Sequence, residues 1–83
     1  MRFVYFARMR EEIGKAEEEI FLPEQITTVK DLLDFLRQRD ETYANALATP
    51  ELIHVAVDQQ HAGLEQNIAG AREIALFPPM TGG

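Results

Sequence analysis

The sequence predicts an α+β fold, a mixed sheet with one main amphipathic helix packed on one face. Three observations carry that expectation. Near both ends of the chain, apolar side chains alternate with outward-facing ones, as they do along strands. Between those ends, Val29, Leu32, Leu33 and Leu36 fall at i, i+3, i+4 and i+7, which is one helical stripe. The chain has 83 residues, one domain's worth of sequence.

The first element is a strand over Arg2 to Met9, rich in aromatic and β-branched types. Phe3, Tyr5 and Ala7 share the parity assigned to the core. Arg2, Val4, Phe6 and Arg8 share the outer one. Arg10 to Ile13 fits one helical turn, with Gly14 as a left-handed stop. Glu17 to Leu22 reads as a short strand ended by Pro23. Its Glu17-Glu18-Glu19 run is that of a solvated edge that discourages strand-to-strand aggregation.

The main helix opens at Thr28, a good N-cap. Asp31, three residues on, favours the positive end of the helix dipole. Asp31, Asp34, Arg37 and Gln38 face away from the apolar stripe. A second short helix is expected from about Glu41 to Ala48, ending before Pro50. Leu52 to Asp58 returns to alternation, with Ile53, Val55 and Val57 inside and His54, Ala56 and Asp58 outside. A turn region follows from Gln59 to Arg72, punctuated by Gly63 and Gly70. Glu73 to Phe77 is the last strand, with Ile74 and Leu76 on one parity and Ala75 and Phe77 on the other. This order fits the β-grasp architecture, in which the first and last strands lie side by side in the middle of the sheet.

Composition narrows the function. The chain holds no Cys, which excludes a disulfide framework, a thiolate metal site and a cysteine nucleophile. An apolar fraction of 46% excludes global disorder. A net charge of −6 argues against a general nucleic-acid binder, which needs a basic footprint. No apolar run approaches the roughly 20 residues of a membrane span. Met1 to Phe6 reads as a strand rather than a signal peptide. A small, acidic, cytoplasmic domain without an enclosed active site is therefore expected.

Side-chain chemistry is sparse. His54 and His61 have no third ligand at a recognisable metal spacing, and each reads as a surface histidine. The chain has no Ser, no HExxH and no phosphate-binding glycine loop. What stands out is the C-terminus, Leu76-Phe77-Pro78-Pro79-Met80-Thr81-Gly82-Gly83. The Pro-Pro pair stiffens the chain as it leaves the sheet. From Phe77 to Gly83 the chain can extend about 20 Å at roughly 3.3–3.6 Å per residue. Gly82 and Gly83 have no side chains, so the tip can thread a narrow channel. The expected division is a domain over 1–77 and an extended, flexible Gly-Gly tail over 78–83. A frayed chain end is the plainer reading of two glycines alone; the Pro-Pro spacer and the β-grasp pattern favour a presented tail.

With those residues in view, the chain resembles the ubiquitin-like sulfur carriers, in particular the branch formed by molybdopterin synthase small subunits. The similarity lies in Phe6-Ala7-Arg8-Met9-Arg10-Glu11-Glu12-Ile13-Gly14 after the first strand, in Thr28-Val29-Lys30-Asp31-Leu32-Leu33, and in Val55-Ala56-Val57-Asp58. Phe77-Pro78-Pro79-Met80-Thr81-Gly82-Gly83 is the most specific stretch, because the Pro-Pro is usually absent from thiamine-pathway carriers. Ala69-Gly70-Ala71-Arg72 departs from the acidic Asp-Gly-Asp turn common in the family.

The resemblance implies a sulfur carrier for molybdenum cofactor biosynthesis. Gly83 would be adenylated and converted to a thiocarboxylate, and Gly82 would allow threading. The implied partners are a large subunit that holds the catalytic residues, an ATP-dependent activating enzyme of the ubiquitin-activating type and a sulfur donor. Neither nucleic acid nor a membrane is among them. The chain would be a non-catalytic subunit of a transferase complex, would bind no metal or cofactor itself, and would meet ATP only on the activating enzyme. Val4, Phe6, His61, Ala75, Phe77, Pro78, Pro79, Met80 and Thr81 form the candidate partner-facing set. Val4 with Phe6 and Ala75 with Phe77 would make one apolar patch on the sheet face opposite the helix. Two alternatives remain open. One is a carrier or modifier for thiamine, tRNA thiolation or ubiquitin-like conjugation. The other is a β-grasp interaction module whose tail does nothing.

Overall fold

The structure, a computed structural model, describes residues 1–49 and 52–78. Its elements are β1 (Arg2–Tyr5), α1 (Ala7–Ile13), β2 (Glu17–Glu19), α2 (Val29–Arg37), α3 (Glu41–Ala46), β3 (His54–Val57), β4 (Gln60–Ala62) and β5 (Glu73–Phe77). The strands form one five-stranded sheet in the order β2-β1-β5-β3-β4. β1 and β5 are parallel, and every other pairing is antiparallel. This is the expected mixed sheet, with the first and last strands adjacent and β5 at its centre.

Helices cover one face only. Phe3 and Tyr5 of β1, Val55 of β3, and Ile74 and Leu76 of β5 point into the core against Val29, Leu32, Leu33 and Leu36 of α2. The α2 stripe therefore matches its sequence period. Its start is satisfied group by group. The Val29 and Lys30 amides donate to the Gln66 and Leu64 carbonyls, and the Asp31 amide donates to Thr28 Oγ1. Asp31 completes a capping box by accepting from the Thr28 amide. The Thr27 amide above all, with further bonds from Thr27 and Thr28, holds the Asp31 carboxyl below its usual value against desolvation, which pulls the other way.

Four expectations need correction. The opening strand ends at Tyr5, and residues 7–13 are helical. Ala7, expected in the core, is exposed and starts α1 at φ 49°. Met9 and Ile13, spaced i and i+4, are buried by that helix, and this burial outweighs the strand propensity of the opening run. Gly14 ends α1 as expected, in the left-handed region at φ 89°. Second, β2 and α3 are shorter than expected, and β2 stops at Glu19.

Third, the stretch from Gln59 to Arg72 is not all turn, since it contains β4. Asp58 and Gln59 both have positive φ, 49° and 71°, which makes a two-residue hairpin of the mirror-image type that suits strand twist. Neither is Gly or Asn at the second position, so the usual hairpin signal is missing. The turn is held from outside: Asp58 Oδ1 accepts from the Arg72 and Glu73 amides, both at 2.9 Å.

The fourth correction concerns the acidic run. Glu17 and Glu19 do lie exposed on an edge strand, but Glu18 points inward. Its Oε2 accepts from the Tyr5 hydroxyl at 2.7 Å and the Tyr43 hydroxyl at 2.6 Å. Its Oε1 accepts from Lys15 and Arg39, each at 3.3 Å. Arg39 also lies over the Tyr43 ring, 4.8 Å from its centroid. One carboxylate thus ties the edge strand to β1, to α3 and to the end of α2. Desolvation pushes the Glu18 carboxyl up, but the bonds from Tyr43, Tyr5 and Lys15 outweigh it and hold the group below its usual value. Burial, then the bond to Glu18, pushes both phenols upward.

Replacing Glu18 strands two buried hydroxyls. Glu18→Ala is expected to cost about 2–4 kcal/mol, and Glu17→Ala less than about 0.5 kcal/mol. Urea melts check this, and equal losses would rule out the inward role. The sign for pH follows from the lowered carboxyl. Above pH 4.5 the Glu18 contribution is fully present, and it is lost as pH falls through the lower folded-state value, because the unfolded chain binds the proton first. Thermal melts from neutral pH downward should show a smaller acid loss in Glu18→Gln than in the parent.

Candidate functional site

Among the described residues the other sheet face carries no helix, and register places its side chains in rows. Val4 of β1 is opposite Ala75 of β5, which is opposite Ala56 of β3, which is opposite His61 of β4. In the next row Phe77 of β5 is opposite His54 of β3. Phe6 extends the β1 line, and its amide donates to the Leu76 carbonyl at 3.1 Å, which brings it beside Phe77. Phe6 is 49% exposed, unlike Phe3 and Tyr5 at 0% and 1% on the covered side.

Three rings gather at the end of β5. His54 stacks on Phe77 with centroids 5.6 Å apart at 21°. His61 meets the same ring edge-on, at 5.6 Å and 82°. The two imidazoles lie 6.2 Å apart at 90°. Pro78 follows at once, half-buried, and borders a groove with Arg8, Met9, Ala46 and Leu52.

The structure brings together Val4, Phe6, His61, Ala75, Phe77 and Pro78 of the expected partner-facing set. Pro79, Met80, Thr81, Gly82 and Gly83 lie outside the described residues. His61 sits on a strand rather than in a turn. His54 belongs to the same surface and is not in that set; Ala56 lies in the same row of the sheet but is buried. The signal for His54 was available, since it shares the outer parity of its strand and Phe77 shares that of the last one. Among the described residues, no group of three or more His, Asp or Glu side chains is placed to hold a metal. The described residues include no helix long and apolar enough to cross a membrane.

The chain holds no Ser or Cys nucleophile, and among the described residues the arrangement is an open surface. What it offers chemically is an apolar, ring-rich surface that ends where the chain runs on toward its terminus. The fold is that of a ubiquitin-like β-grasp protein. The ThiS family profile matches residues 3–83, and the chain belongs to that family. It is 35% identical to the molybdopterin synthase sulfur carrier subunit of Haemophilus influenzae, over 100% of this chain and 99% of that protein. Identity to the protein of the same name from Escherichia coli is 29% over the same shares. Among solved structures, a putative molybdopterin converting factor subunit 1 from Pyrococcus furiosus is similar at a TM-score of 0.74 and 26% identity, over 95% of each chain. The small archaeal modifier protein SAMP1 from Haloferax volcanii is similar at a TM-score of 0.73 and 28% identity, over 100% of this chain and 98% of that one.

Because Phe6 and Phe77 lie on the face without helices, Phe6→Asp and Phe77→Asp should leave the domain folded. Leu76→Asp, which places a charge on the covered side, should unfold it. Circular dichroism melts of the three variants decide this, and unfolding of Phe77→Asp would contradict an open face.

Proposed function

We propose that the chain is the sulfur-carrier subunit of a molybdopterin synthase and carries sulfur as a thiocarboxylate on Gly83. The observation that carries this reading is the juxtaposition of the open aromatic face with the end of β5. Phe77 is one residue from Pro78, so a protein docked on this face receives the C-terminal segment at its border. Family membership and the full-length similarity to a named sulfur carrier support the same reading.

In this reading residues 1–77 are the body and 78–83 the extended tail, and the chain works in the cytoplasm. The chemistry starts from a poor electrophile. A carboxylate must expel oxide to react, so it is first activated. On an ATP-dependent activating enzyme, a Gly83 carboxylate oxygen attacks the α-phosphorus of ATP and pyrophosphate leaves. Sulfur from a donor then attacks the acyl carbon of the adenylate, the C–S bond forms and AMP leaves. The thiocarboxylate enters the large subunit's pocket, where Gly82 and Gly83 pass a constriction that a Cβ would block. There the thiocarboxylate sulfur bonds to a carbon of cyclic pyranopterin phosphate as an oxygen leaves that carbon. Water then cleaves the acyl–sulfur bond, which leaves the sulfur on the pterin and restores the Gly83 carboxylate. The large subunit supplies the catalytic groups, while this chain supplies the sulfur and the docking surface. It holds no cofactor of its own, and ATP is met only on the activating enzyme.

The likeness to SAMP1, a modifier protein, gives a second reading, in which the activated Gly83 is passed to an amine of another protein. The two readings share activation and part at the acceptor. Incubation with ATP, an activating enzyme and a sulfide source should raise the mass by the replacement of one oxygen with sulfur, confined to the C-terminal peptide. Deleting Gly83 should abolish the shift. Adding the large subunit and cyclic pyranopterin phosphate should then yield molybdopterin. An unchanged mass counts against both readings, while a mass shift followed by isopeptide conjugates and no molybdopterin selects the modifier. Phe6→Asp and Phe77→Asp should lose affinity for the large subunit by about 100-fold or more, as loss of a central aromatic anchor does.

A further inference from the structure

Histidine is the side chain whose charge ordinarily changes between about pH 5 and 8. Two of them flank Phe77 at the centre of the open face, one stacked at 5.6 Å and one edge-on at 5.6 Å. They are the chain's only histidines. We infer that His54 and His61 make docking on this face pH-dependent: their neutral rings are part of the contact surface, and their protonation weakens binding to an apolar partner face. The inference rests on the docking reading above.

The geometry sets the direction of the effect. The neighbours of the rings on this face are apolar: Phe6 and Val4 reach solvent, while Ala56 and Ala75 are themselves buried. Charged groups on the elements around the rings are engaged in ion pairs or hydrogen bonds of their own. Arg2 of β1 pairs with Glu17 of β2 at 2.9 Å and with Glu73 of β5 at 3.9 Å. Glu19 pairs with the Met1 amine at 3.3 Å. Asp58, at the end of β3, is taken up by the Arg72 and Glu73 amides. On α1, which follows Phe6, Arg8 pairs with Glu12 at 3.1 Å. Glu65, in the loop after β4, is exposed and makes no ion pair among the described residues. Among the described residues no carboxylate forms an ion pair with either histidine.

Among the described residues, an imidazolium at this place has no ion-pair partner. Covering it with an apolar surface costs its hydration, and a second imidazolium 6.2 Å away adds repulsion. The partner implied is a face that is apolar opposite the three rings and carries no carboxylate there.

The test is calorimetric titration of the full chain with the large subunit of molybdopterin synthase at about pH 8 and about pH 5.5. The parent and the double variant His54→Gln/His61→Gln are compared through the ratio of Kd at the two pH values. That ratio cancels titration of the large subunit itself and needs no equal affinity at the start. Melts at both pH values verify that the chain stays folded. The expected result is a parent Kd that rises about tenfold or more on acidification, with a change several-fold smaller in the double variant. Equal ratios in the two proteins overturn the inference and leave docking standing. Tighter binding of the parent at low pH also overturns it, because it means a carboxylate faces the rings. No binding at about pH 8 removes the docking reading and this inference with it.

Discussion

The pairing of β1 with β5 is the constraint on which the rest of the molecule depends. Two strands from opposite ends of the chain lie parallel, with Phe3 beside Ile74 and Tyr5 beside Leu76. Parallel neighbours need a crossover, and everything from α1 to β4 is that connection. The pairing fixes two faces at once. Odd positions of β1 and even positions of β5 go under α2, and the alternate positions go outside. Shifting the register by one residue would bury Val4 and Ala75 and expose Tyr5 and Leu76. The same pairing sets where the chain leaves the sheet, since β5 ends beside Phe6.

Where a residue's role followed from its own periodicity, the sequence was enough. Thr28, Asp31 and the four apolar residues of α2 specify a helix locally, and β5 has the residues expected of it. The β1–α1 boundary was not legible. The strand-like run continues to Phe6, and α1 opens on that residue with no side-chain cap to announce it. β4 was missed because Gln60-His61-Ala62 has no apolar alternation, and its turn is made by Asp58 and Gln59 instead of a glycine. In both places tertiary contacts decide: burial of Met9 and Ile13 in one, the bonds from Asp58 to the Arg72 and Glu73 amides in the other. The open face was legible in part. Parity gave Val4, Phe6, Ala75 and Phe77, but adding His54 required knowing that β3 is the neighbour of β5.

Glu18 shows why local sequence misleads at an edge. Three consecutive glutamates look alike, yet alternation sends the middle one to the opposite face from its neighbours. Once inside, it needs donors, and Tyr5 and Tyr43 need an acceptor. Each of the three would be costly to bury alone, and together they are satisfied. A small domain has little apolar area to spend on its second layer. A shared carboxylate is a compact way to anchor α3 and the edge strand without enlarging the core.

The two faces therefore place different demands on the same sheet. The covered face must be dry and closely packed, and its few polar groups must be mutually satisfied. The open face must stay unfilled, because its rings serve the protein only while another surface can reach them. An apolar patch of this kind invites self-association unless the rest of the surface opposes it. The net charge of −6 supplies that opposition. Among the described residues its carboxylates lie on α1, α2, α3, β2 and β5 and at Glu24, Asp40, Asp58 and Glu65 between elements, and none of them forms an ion pair with either histidine. Acidity that began as an argument against nucleic acid is thus what allows a small domain to keep one apolar face uncovered.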